Sequence, residues 1–69
     1  MIKVFKTNVE EAHEAKQIIQ KLLDHFPENK INFDLDDCDK ILKVKGEKLV
    51  PRQIIALLNE NGYQCEILI

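Results

Sequence analysis

Tryptophan is absent from the chain, tyrosine occurs once and phenylalanine three times. So few rings cannot build the stacking platform that commonly holds single-stranded nucleic acid. No basic excess makes up for them. Ten lysine and arginine residues stand against twelve aspartate and glutamate, a net charge of −2, with both signs interspersed. A protein that tracks a phosphate backbone carries a basic stripe, so no nucleic-acid partner is expected. No apolar run approaches the ~20 residues needed to cross a bilayer, so no membrane partner is expected either. Lys3 and Lys6 interrupt the only apolar start, which argues against a secretory signal. There are two cysteines, Cys38 and Cys65. Without such a signal they are expected to be free thiols in the cytoplasm rather than a disulfide. The chain also lacks a nucleophile–base pair at a recognisable spacing and any glycine-rich phosphate loop. No enzyme and no cofactor is therefore expected.

What is present is apolar material in regular patterns. Hydrophobic residues make up 45% of the 69 positions, which suits one ordered domain spanning residues 1–69. A chain this short buries only about 60% of its unfolded surface, so its stability margin is thin.

Met1 to Lys6 alternates as a strand, with Ile2 and Val4 on one face and Lys3 and Phe5 on the other. Thr7 or Asn8 suits an N-cap, and Glu10 and Glu11 suit the positive end of a helix. Ala12, Ala15, Ile18, Ile19, Leu22, Leu23 and Phe26 then follow at helical spacing. Pro27 stops that helix. Ile31, Phe33 and Leu35 alternate with Asn32, Asp34 and Asp36 in a half-buried strand. The polar Asp36-Asp37-Cys38-Asp39 turn leads to a third strand, Ile41 to Lys45, with Leu42 and Val44 facing the core. Pro51 fits the first position of a second helix carrying Ile54, Ile55, Leu57 and Leu58. Gly62 suits a left-handed C-terminal stop. A last strand runs from Tyr63 to Ile69.

Strand, helix, strand, strand, helix, strand is an α+β order. Two helices on one face of a four-stranded antiparallel sheet bury every apolar stripe. This is the ferredoxin-like βαββαβ arrangement, with strand order 4-1-3-2. It brings Thr7 to Glu11, Asp36 to Asp39 and the Gly62-Tyr63 turn to one end of the sheet.

Phe33-Asp34-Leu35, Asp39-Lys40-Ile41-Leu42-Lys43-Val44, and the helix from Ile54 leading into Gly62-Tyr63 stand in order along the chain. In this the sequence resembles the heavy-metal-associated (HMA) domain, the fold of copper chaperones and metal-pump N-terminal domains. The resemblance runs almost end to end. It implies a Cys-x-x-Cys motif in the first loop, where two thiolates clasp a soft ion such as Cu(I). Ile18 and Leu22 place that motif at Glu11-Ala12-His13-Glu14. Carboxylates are hard ligands and do not replace thiolates for Cu(I), so the soft-metal activity is not expected here.

Three functional readings remain, the least expected being an enzyme accessory subunit that acts only when docked. The first is a non-catalytic interaction or regulatory module that binds a protein partner or a second copy through the sheet face or a sheet edge. Phe5, Ile41 and Leu68 are its candidate apolar patch on the helix-free face. The alternative is a metal-handling protein with an altered, divalent site drawn from Glu11, Glu14, His13 and Cys38. Against it stands a plainer account: acidic residues in a first helical turn complement the helix dipole without any metal.

Overall fold

A computed structural model describes all residues, Met1–Ile69. Its elements are β1 (Ile2–Thr7), α1 (Ala12–His25), β2 (Lys30–Asp34), β3 (Ile41–Lys45), α2 (Pro51–Glu60) and β4 (Cys65–Ile67). The four strands form one antiparallel sheet in the order β2-β3-β1-β4. This is the expected order, read from the other edge. No helix is long and apolar enough to cross a membrane.

Each helix is amphipathic, and the buried stripes are the expected ones: Ala15, Ile18 and Leu22 on α1, and Ile54, Leu57 and Leu58 on α2. With Phe5, Leu42 and Val44 from the central strands, five of these helical residues close a single core cluster; Ala15 is buried beside it. α1 ends where Pro27 would force its predecessor out of helical geometry, and Phe26 is its C-cap. α2 begins with Pro51 at its first turn and ends in a Schellman motif. There the Tyr63 N–H donates to the Leu58 carbonyl at 2.9 Å, and the Gly62 N–H to the Asn59 carbonyl at 3.0 Å. Gly62 itself has φ +88°, a conformation that glycine adopts without a Cβ penalty. Because this motif takes up Tyr63, the last strand starts at Cys65 and not at Tyr63.

One strand is turned over relative to expectation. Phe5 does not lie on the helix-free face; it is fully buried in the core. It stands opposite Leu42 on β3 and Ile67 on β4. Side chains directly opposite in a ladder share a face, so Lys3, Phe5 and Thr7 face the helices. Ile2, Val4 and Lys6 face outwards. The choice follows from what each phase would bury. The Ile2-Val4-Lys6 phase would drive the Lys6 ammonium under the helices at the crowded end of the sheet. The other phase buries a larger ring and a hydroxyl that finds a partner, and it leaves only Lys3 at the strand's start to be reached by solvent. The open face therefore carries Ile2, Val4, Lys6, Lys30, Asn32, Asp34, Ile41, Lys43, Lys45, Glu66 and Leu68, and no aromatic ring.

Candidate functional site

The three connections do meet at one end of the sheet, and side chains tie them together. The Thr7 hydroxyl donates to the Lys40 carbonyl at 2.6 Å and accepts from the Val9 N–H at 3.3 Å. The Thr7 N–H donates to the Asp39 carbonyl at 3.1 Å, which anchors the hairpin tip to β1. The Gln64 N–H donates to Asn8 Oδ1 at 2.8 Å, which anchors β4's lead-in to the first loop. Val9 is fully buried between these anchors. Thr7 and Asn8 are thus fasteners between loops and not the helix cap; Glu11 is the N-cap.

The Glu11-Ala12-His13-Glu14 stretch starts the helix. Glu14 Oε1 accepts from the Glu11 N–H at 3.3 Å, the reach-back arm of a capping box. Its other oxygen, Oε2, accepts from the Tyr63 hydroxyl at 2.8 Å. One carboxylate oxygen thereby closes the first turn of α1 and the other ties it to the turn that follows α2. The Tyr63 phenol is held above its ordinary pKa, chiefly because it donates to a carboxylate, with burial and the negative charge of Glu14 adding to the effect. Glu11 and His13 are exposed.

Cys38 sits on the hairpin tip, exposed and free. The only three potential ligand groups gathered within 4.8 Å are those of Asp37, Cys38 and Asp39. Glu11, Glu14 and His13 do not join Cys38 there. Within the trio, Asp37 Oδ1 already accepts the Asp39 N–H at 2.8 Å, a turn closed by its own side chain. Asp39 Oδ1 lies 3.8 Å from Lys6 Nζ. Lys40, with φ +48°, reverses the chain after them and sends its ammonium to the Leu35 carbonyl at 2.9 Å. Cys65 is free and half-buried, and burial pushes its thiol up to about 12, which keeps it protonated and unreactive at neutral pH.

The apolar surface lies elsewhere. Ile41 is half-buried on the open face and Leu68 is exposed. Ile67, Leu68 and Ile69 are 41, 47 and 73% exposed in and just after β4, an edge strand paired only with β1. Ile67 faces the helix side and Leu68, just past the strand, the open side beside Glu66, so this edge carries apolar side chains on both faces. The expected alternation of Tyr63 to Ile69 contained that signal, since Leu68 interrupts a polar phase otherwise held by Gln64 and Glu66.

Comparisons with protein-family profiles, curated proteins and solved structures find no match.

Proposed function

We propose that the chain is a small, non-catalytic interaction module of ferredoxin-like βαββαβ type. In this reading it is an HMA-like domain, working in the cytoplasm, whose soft-metal corner has become part of the scaffold. The observation that carries the reading is the β4 edge. A strand apolar on both faces is ordinarily found inside a sheet, and one left at an edge is a template for pairing with another strand. The opposite edge, β2, is blunted by Lys30, Asn32 and Asp34, as solitary edges usually are. A partner strand added beside β4 would cover Ile67, Leu68 and Ile69 and extend the open face, where Val4 and Ile41 continue the apolar surface.

Sedimentation over a wide concentration range tests this directly. A second copy paired through β4 gives a concentration-dependent dimer that Leu68→Ser or Ile69→Lys abolishes. If the chain is monomeric throughout and neither residue affects the capture of partners from its own cell extract, the reading fails.

One observation keeps the metal reading as a second: the Asp37, Cys38 and Asp39 ligand atoms lie together. Thermal melts of reduced, metal-stripped protein with Zn, Mn, Ca and Cu(I) decide it. A ligand that binds only the folded state at 100 times its dissociation constant adds about 2.7 kcal/mol, several degrees in a domain this small. A rise with Zn, Mn or Ca that Cys38→Ser removes establishes a divalent site at the hairpin tip; flat melts dismiss it. Glu11→Cys with Glu14→Cys is expected to create Cu(I) binding if the HMA-like placement of the first loop holds.

A further inference from the structure

At the end of the sheet away from the acidic corner lies an open cavity of about 560 Å³. The end of α1 and the Phe26 to Lys30 turn form one wall, and Lys45 to Lys48 form the other. Its volume falls within the range of small-molecule sites.

Asn29 lines this cavity and is only 8% exposed. Its backbone N–H is satisfied by the Phe26 carbonyl at 3.1 Å. Its side-chain amide neither donates to nor accepts from any other residue. None of its polar atoms is sealed from the surface, so the exposure it keeps opens into the cavity. Asn29 is nine-tenths buried as a residue while its amide, without a protein partner, still reaches the cavity, where water or a ligand can complete it.

Gly46 keeps this arrangement possible. A Cβ there would stand 2.0 Å from Asn29 Oδ1 and would expel the amide from its place. The Gly46 backbone is not in the left-handed region, which in this chain holds only Lys40 and Gly62. Glycine at this position is therefore explained by close approach and not by conformation.

Three lysines line the same cavity: Lys30, Lys45 and Lys48. Lys30 and Lys45 stand directly opposite each other on β2 and β3, both exposed on the open face. Like charges so placed repel. Neither is relieved by an ion pair, for the one ion pair in the molecule joins Lys6 and Asp39. Glu28, Glu47 and the carbonyl end of α1 also border the cavity, so its overall field is moderate. Selectivity must come from the facing lysine pair and the unpartnered amide that line it together.

We propose that this cavity binds a small oxyanion, a phosphate- or carboxylate-bearing molecule, held by Lys30 and Lys45 with Lys48 at the rim and the Asn29 amide donating from the floor. The anion relieves the lysine pair and completes the amide in one step. The site shares no residue with the β4 edge, so it stands or falls independently of the interaction reading.

The test is an NMR titration of the labelled full chain with inorganic phosphate, pyrophosphate and malonate, against sodium chloride at matched ionic strength. The expected result is saturable shifts at the Asn29 side-chain amide and at the Lys30 and Gly46 backbone amides. They should be absent with chloride and weakened at least tenfold by Lys30→Gln with Lys45→Gln. Tighter saturation by phosphates or by malonate names the group recognised. Shifts that never saturate, that chloride reproduces, or that survive the double substitution overturn the site. Lys48→Gln, at an exposed position, gives a second reading should the double variant fold poorly; unchanged affinity there with no loss in the double variant is equally fatal.

Discussion

Glu14 shows how one side chain can settle between two functions. A carboxylate at a helix start can hold a cation or hold the helix, and here both oxygens are directed at protein donors, the Glu11 N–H and the Tyr63 hydroxyl. Glu14→Ala is expected to lower stability by roughly 1 kcal/mol, the usual net worth of a hydrogen bond of this kind, measured by urea unfolding. Tyr63→Phe should cost less, and the double variant less than the sum, because the two residues share one bond. Strict additivity would show that the contact contributes nothing. Cys65 supplies a pH dependence whose sign is fixed. Burial raises its thiol from the ordinary 9.0 to about 12, so the folded state keeps a proton that the unfolded state releases. Its contribution is complete below the unfolded value and is lost as pH rises through the folded one. The melting temperature should therefore fall between pH 9 and pH 10.5. Cys65→Val should flatten that fall, leaving the later, same-signed contribution of Tyr63. An unchanged slope in the variant would exclude the thiol as the cause.

At the level of elements, the helices were the most legible part of the sequence and β1 the least. Ala15, Ile18 and Leu22, or Ile54, Leu57 and Leu58, leave one face to bury and no alternative, and Pro27, Pro51 and Gly62 punctuate them through local chemistry alone. β2 and β3 were nearly as plain, since the core phase of each is apolar throughout and the outer phase carries polar residues apart from Ile41. β1 offers apolar residues on both phases, Ile2 and Val4 against Phe5, so alternation alone could not orient it. The deciding signals were Lys6, which cannot point inwards at the crowded end, and Thr7, whose hydroxyl has the Lys40 carbonyl to meet. The functional corner was legible in its location but not in its bonding. That three loops meet follows from topology; that Glu14 spans two of them depends on distances no spacing encodes. The orientation of β1 is testable by comparing its two phases. Phe5→Ala removes a fully buried ring and is expected to cost about 3–5 kcal/mol. A chain of this length holds roughly 3–10 kcal/mol in all, so that variant should lose a third or more of its stability. Val4→Ala, on the open face, should cost about 1 kcal/mol and leave a cooperative melt. Equal losses would mean that the strand presents no preferred face to the helices.

Across the whole molecule the two sheet edges are built to opposite rules. β2 alternates charged and amide side chains with its half-buried Ile31 and Phe33, and discourages any neighbour. β4 and the two residues after it carry three exposed aliphatic side chains and one glutamate, Glu66, which lies opposite Lys6 of its own sheet. The core does not need the outer part of that edge. Phe5, Leu42 and Val44 are closed over by Ile18, Leu22, Ile54, Leu57 and Leu58 without help from Leu68 or Ile69. Stability and association should therefore separate. Ile69→Lys changes a residue that is 73% exposed and should alter unfolding free energy by no more than about 0.5 kcal/mol. That corresponds to roughly 2–4 °C in a domain of this size. The same substitution places a charge on the edge and should abolish pairing through it, since edge lysines are how solitary sheets avoid one another. A melt and a sedimentation run on one preparation read both quantities. Loss of association with an unchanged melt assigns the aliphatic residues of β4 to a partner. A melt that collapses together with association would instead make the edge part of the fold, and the interaction surface would then have to be sought among Val4 and Ile41 on the open face.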